Sequence, residues 1–172
     1  RKEIHEQIGR AIEELYLERL EEFYEVLGYH YSRAEVVSKA CHYLKLSGQK
    51  AMRSFATYEA CGFYREARDL LHKQPDTEEN RKERLEILLL MFHPLRLLAY
   101  PEGSVQFLEE AERLSQEMRD ERSLATVYSR LGNYYTLSGG NPLLGIEYGE
   151  RSWRQAEKIQ DMNAMAAAGL DL

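Results

Sequence analysis

The side chains here that could do chemistry are five histidines, two cysteines, several adjacent glutamate pairs and twelve tyrosines. His5, His30, His42, His72 and His93 form no His-x-x-x-His or Glu-x-x-His pattern, the spacings that put two ligands on one helix face. His30 and His42 stand on neighbouring predicted helices and are expected to be satisfied interface histidines. Glu13-Glu14, Glu21-Glu22 and Glu109-Glu110 are sequence neighbours, which point to different sides of a helix and so read as solvated faces. Cys41 and Cys61 match no metal or redox spacing; each is expected to be a small buried hydrophobe in a reducing compartment. Gly139-Gly140 lacks the Lys-Ser or Lys-Thr of a phosphate loop, and no serine sits in a Gly-x-Ser-x-Gly elbow. These residues imply no catalytic site, no cofactor and no bound metal.

The tyrosines remain. Tyr16, Tyr24, Tyr31, Tyr43, Tyr64, Tyr128 and Tyr135 fall on apolar stripes and are expected in helix packing. Tyr29, Tyr58, Tyr134 and Tyr148 fall off those stripes. Tyrosine buries a large area at low entropy cost and keeps a polar tip, which suits a partner-binding groove.

Composition narrows the partner. The formal net charge is −6 over 172 residues, whereas a duplex-binding protein needs a basic face to release counterions. Arg81, Lys82 and Arg84 are interleaved with Glu78, Glu79, Glu83 and Glu86, so no nucleic acid is expected. The longest apolar run, Ile87 to Phe92, is far short of the ~20 residues that cross a bilayer. With no signal peptide visible, a cytoplasmic location away from membranes is the expectation. The chain starts at Arg1 and stops at Leu172 inside a helical pattern, so a piece of a larger protein is expected.

The elements that must position these residues are helices. Apolar residues recur every three to four positions, and no stretch alternates as a strand does. The stripes predict helices over about 3–16 (Ile4, Ile8, Ala11, Ile12, Leu15) and about 18–31. Ser32-Arg33-Ala34-Glu35 reads as a capping box that starts a third helix near Arg33. Gly48 either ends that helix or marks a close approach. Thr57 is expected to cap the next helix, which ends near His72. Asp76 with Glu79 reads as a second capping box. The helix over about 77–98 is strongly apolar, and Pro94 predicts a kink or break in it. Tyr100-Pro101-Glu102-Gly103 is a turn. Helices follow over about 104–118 and 121–137. Asn141 with Pro142 starts the next, to about Ile159, and a last one begins near Asp161.

Self-similarity runs through these helices. Leu27-Gly28-x-x-Tyr31 and Leu131-Gly132-x-x-Tyr135 repeat in first helices of pairs. Ala40-x-x-x-Leu44-x-x-Ser47, Ala60-x-x-x-Tyr64-x-x-Ala67, Ser104-x-x-x-Leu108-x-x-Ala111 and Gly145-x-x-x-Gly149-x-x-Ser152 repeat in second helices. Small residues let helix backbones approach, and a large one between them fills the neighbouring groove. This pattern resembles the tetratricopeptide repeat (TPR). It departs from it in lacking the Trp, with Tyr24 at that place and Trp153 in a second helix. The spacing also departs from the usual 34: Gly132 to Gly169 is 37 positions, and the rows at Ala40 and Ala60 lie 20 apart. The stretch from His5 and Ile8 through Leu27-Gly28-Tyr29-His30-Tyr31, Lys39-Ala40-x-x-Tyr43-Leu44 and Glu59-Ala60-x-x-x-Tyr64 also resembles the helical region after the ATPase core of bacterial STAND-class signalling ATPases. It covers residues 4–72 and implies a sensor or scaffold arm whose ATPase motifs lie elsewhere.

The expectation is therefore all-α, a single TPR-like domain over 1–172, with eight or nine helices in antiparallel hairpins forming a right-handed superhelical solenoid. Its function is expected to be non-catalytic protein–protein interaction, with a peptide, a protein or another domain of the parent as partner. A small effector bound in the groove is the alternative. Tyr29, His30, Arg33, Arg130, Asn133 and Tyr134 are the expected partner-binding residues, because the core stripe leaves them free.

Overall fold

The computed structural model describes residues 1–163 and 165. It is all-helical, with no strand among those residues. The helices are α1 (Lys2–Leu15), α2 (Tyr24–Ala34), α3 (Val37–Arg53), α4 (Thr57–His72), α5 (Glu78–Leu97), α6 (Ser104–Glu117), α7 (Glu121–Leu137) and α8 (Pro142–Lys158), with a 3-10 segment, Leu17–Phe23, before α2. The expected last helix from Asp161 and the Gly132–Gly169 spacing run into residues outside the described set. Two compact units divide within α5, Arg1–Ile87 and Leu88 onward. In the first, α1, α2, α3 and α4 each pack on the next; in the second, α6 packs on α7 and α7 on α8. Turns of a few residues between long packed helices make such neighbours antiparallel.

One device ends five helices. Glu35 (φ 59°), Phe55 (59°), Ala99 (54°), Arg119 (54°) and Gln160 (53°) follow α2, α3, α5, α6 and α8 in the left-handed region. After each, the next amide donates to a carbonyl five residues back: Val36 to Tyr31 at 3.1 Å, Ala56 to Ala51 at 2.9 Å, Tyr100 to Leu95 at 2.8 Å, Asp120 to Ser115 at 2.9 Å and Asp161 to Ala156 at 3.1 Å. This six-to-one bond closes a Schellman stop. It is built here from non-glycine residues, so a glycine search of the sequence passes over it.

The stop overturns the expected start of α3. Ser32 lies inside α2, Glu35 is the left-handed residue after it, and α3 begins at Val37. Two other expected caps shift. Ala56, not Thr57, precedes α4, and the Thr57 hydroxyl turns back to the Phe55 carbonyl at 3.4 Å. At the start of α5, Thr77 Oγ1 accepts from the Asn80 amide at 3.2 Å, while Asp76 pairs with Arg81 at 2.9 Å. The Asn141 cap holds as expected, its Oδ1 accepting from the Leu144 amide at 3.2 Å. α5 passes Pro94 without breaking and ends one turn later.

The small–large–small rows do what their spacing predicts: every residue of all four is buried. Gly48 marks a close approach, since a Cβ there would lie 2.3 Å from Cε1 of Tyr64, itself 2 % exposed. Gly132 meets α8 backbone to backbone; its Cβ would lie 3.1 Å from the Gly145 carbonyl oxygen. Cys41 and Cys61 are free and buried, and burial pushes the Cys41 thiol up to about 12. One stripe is only partly where periodicity put it: Ile12 on α1 packs against the cluster of Leu27, Tyr31, Ala40 and Tyr43, but Ile4, Ile8, Ala11 and Leu15 are exposed.

Candidate interaction surface

Three of the expected partner-binding residues come together on α2. Tyr29 and Arg33 are one turn apart, which brings the Arg33 guanidinium over the Tyr29 ring, 5.4 Å from its centroid. His30 meets α1 instead of His42: its Nδ1 lies 2.9 Å from Nδ1 of His5. One ring must donate and the other accept, so at least one is neutral. Burial, and then the nearby His5, hold His30 below its ordinary value. The His5 ring also lies edge-on to Tyr29, with centroids 5.8 Å apart. Tyr29 remains 51 % exposed.

Beside this cluster, Glu13 of α1 organises a network the sequence did not disclose. Its carboxylate accepts from Tyr31 Oη at 2.7 Å and Lys39 Nζ at 2.5 Å through Oε2, and from Tyr43 Oη at 2.6 Å through Oε1. The Tyr31 and Tyr43 rings stack in parallel with centroids 5.8 Å apart, and Lys39 lies over the Tyr31 ring. Burial pushes the Glu13 carboxyl up, but the three donors and the Lys39 charge outweigh it and leave the group lowered. Burial, then the Glu13 hydrogen bond, raises both Tyr31 and Tyr43. The Glu13-Glu14 pair gave no sign of this, because which glutamate faces inward depends on how α1 is rotated. With Tyr31 and Tyr43 buried, the network ties α1 to α2 and α3.

The second unit carries a strip of tyrosines. Tyr100 meets Tyr134 edge to face (5.4 Å), Tyr134 meets Tyr135 (5.2 Å), Tyr135 stacks on Tyr148 (5.6 Å, interplanar 8°), and Tyr148 meets Tyr128 (5.9 Å). Tyr100 is buried and the other four are half-buried. They come from the turn after α5 and from α7 and α8, so only tertiary packing aligns them. Tyr148 Oη lies 3.4 Å from Glu112 Oε2 on α6. Burial, then repulsion by Glu112, pushes Tyr148 up to about 12, and burial raises Glu112 itself. Arg151 covers the Tyr148 ring at 5.0 Å and is held by Glu147 at 2.5 Å.

The remaining expected residues divide. Tyr134 belongs to the strip. Asn133 donates to the Ser129 carbonyl of its own helix at 3.3 Å. Arg130 lines a separate cavity of about 260 Å³ with Arg122, Ser129, Ser152 and Asp161, spanned by an Arg122–Asp161 ion pair of 2.9 Å. Among the described residues, no group of three or more histidine, cysteine or acidic side chains is placed to hold a metal. No described helix is long and apolar enough to cross a membrane. No family model matches the chain, and no curated protein matches it.

Proposed function

We propose that this chain is a non-catalytic interaction module of the tetratricopeptide type, whose hairpins stack into a right-handed solenoid and whose tyrosine strip binds a peptide segment. The observation that carries this reading is the strip itself. Four half-buried tyrosines in a row offer aromatic faces and phenolic hydroxyls on rings already fixed by packing, so little entropy is lost on binding. The burial of all four small–large–small rows supports the repeat assignment, because that spacing is what lets consecutive helices stack. The resemblance of residues 4–72 supports a place as the sensor or scaffold arm of a bacterial signalling ATPase, in the cytoplasm, with a protein, a peptide or a neighbouring domain as partner. The net charge of −6 argues against nucleic acid.

The test is a peptide-display selection against the whole chain, followed by affinity measurement on Tyr134→Ala and Tyr148→Ala. A loss of ten-fold or more in both, with the helical circular dichroism kept, supports the reading. Selected peptides indifferent to both substitutions overturn it. The cavity beside Arg130 favours a second reading, a small polar effector. That reading expects a metabolite screen to raise the melting temperature, and the rise to vanish in Arg130→Ala.

A further inference from the structure

The helix α1 packs on the core through Ile12 at one edge of its apolar stripe and turns the rest of that stripe to solvent. At 100° per residue, Ile4, Ile8, Ala11 and Leu15 fall within an arc of about 60°, the pattern of a buried face. Yet Ile4 is 59 % exposed, Ile8 38 % and Leu15 75 %, and Ala11 is exposed as well. The helix contacts the rest of its unit through the adjoining side: Ile12 packs on the core cluster, Gly9 is buried, Glu13 reaches Tyr31, Lys39 and Tyr43, and His5 reaches His30. Leu17, 71 % exposed, prolongs the apolar surface into the 3-10 segment. An ordered apolar stripe of this kind marks an interaction site.

The charges around the stripe say what covers it. Cations nearby are already engaged: Lys2 with Glu35 at 2.5 Å, Arg10 with Glu6 at 2.5 Å and Arg19 with Glu22 at 2.6 Å. Glu3 and Glu14, both exposed, border one side of the stripe three turns apart, and Glu18 follows beyond its end. None of these three has an ion-pair partner among the described residues. Arg1 stands alone at the opposite end. The first 25 residues carry eight glutamates against four basic residues.

We propose that the Ile4–Ile8–Ala11–Leu15 face docks an amphipathic helix of a partner protein whose apolar stripe is flanked by lysine or arginine. Such a helix buries its stripe on this one and sets its cations against Glu3 and Glu14. A second copy of the chain would bring the same acidic border against itself, and an anionic membrane would be repelled by it.

The experiment titrates the whole chain into a labelled 18-residue leucine/lysine amphipathic helix and follows anisotropy at physiological salt. Two controls accompany it, a peptide of identical composition with scrambled order and a leucine/glutamate helix. The leucine/lysine helix is expected to bind at least ten-fold tighter than either. The Ile8→Ser/Leu15→Ser variant is expected to lose at least ten-fold, and Glu3→Lys/Glu14→Lys to reverse the preference toward the leucine/glutamate helix. Tyr134→Ala, which tests the tyrosine strip, is expected to leave this affinity unchanged. The altered positions are exposed, so circular dichroism should match the parent; the charge reversal decides even where the serine variant unfolds. Equal binding of the scrambled peptide, or indifference to the charge reversal, overturns the proposal. So does a dimer in sedimentation equilibrium, or cosedimentation with phosphatidylserine vesicles, that Ile8→Ser/Leu15→Ser abolishes.

Discussion

At the residue scale, single side chains in this protein matter through what they meet on the next helix. Gly48 is the sharpest case. A methyl group added there collides with a buried ring that has no room to retreat, so Gly48→Ala is expected to destabilise the protein by about 1–3 kcal/mol despite the better helix propensity of alanine. Thermal denaturation measures it; an unchanged midpoint would mean the Tyr64 ring can move after all. Glu13 is the second case. Glu13→Gln leaves Tyr31, Tyr43 and Lys39 without a charged acceptor and is expected to cost about 1.5–3 kcal/mol, the usual range for bonds to a charged group. The pH dependence follows from the signs. Glu13 is lowered in the fold, so its contribution is present above the ordinary value of 4.5 and is lost as pH falls through its folded value. His30 is also lowered, so the unfolded chain binds its proton more readily and stability falls as pH drops through about 6.5. Tyr31 and Tyr43 are raised, so their contribution is present below 10 and is lost as alkaline pH rises further. Urea denaturation between pH 7.5 and 5.5 should show a falling midpoint that flattens in His30→Gln.

At the scale of elements, the repeated Schellman stop is the organising feature. It lets helices of different length turn back within a few residues, and it puts five non-glycine residues in the left-handed region. Phe55 bears the most visible cost. It adopts φ 59° while 89 % exposed, so its side chain recovers little by burial. Phe55→Gly removes the steric penalty of a Cβ in that conformation, typically about 1 kcal/mol. The variant is therefore expected to melt a few degrees higher, and a lower melting temperature would show that the Phe55 ring contributes to the turn.

At the scale of the molecule, helices pack on their neighbours in sequence within each of two units, and that pattern predicts local rather than global responses to damage. In Gly48→Ala, amide hydrogen exchange is expected to accelerate in α3 and α4 while α6, α7 and α8 keep their protection. Uniform acceleration across both units would instead indicate one cooperative body. The two proposed surfaces fit this division, since the tyrosine strip lies wholly in the second unit and the α1 stripe wholly in the first. A partner at one surface can then be removed by substitution without disturbing the other.

The fold class, the existence and type of nearly every helix, and the residues through which helices approach closely could all be read from the order of residues. Periodicity and the small–large–small spacing encode these locally, as Ala60, Tyr64 and Ala67 show. The Asn141 cap was legible for the same reason, whereas the packing of Tyr64 decided between the two readings of Gly48. The rotation of α1, the Glu13 network, the pairing of His30 with His5 and the alignment of tyrosines from three separate segments arise only when the helices pack together. A helical stripe states which residues share a face but not whether that face turns inward. Nor does spacing along one helix reveal which side chain of another helix will stand opposite.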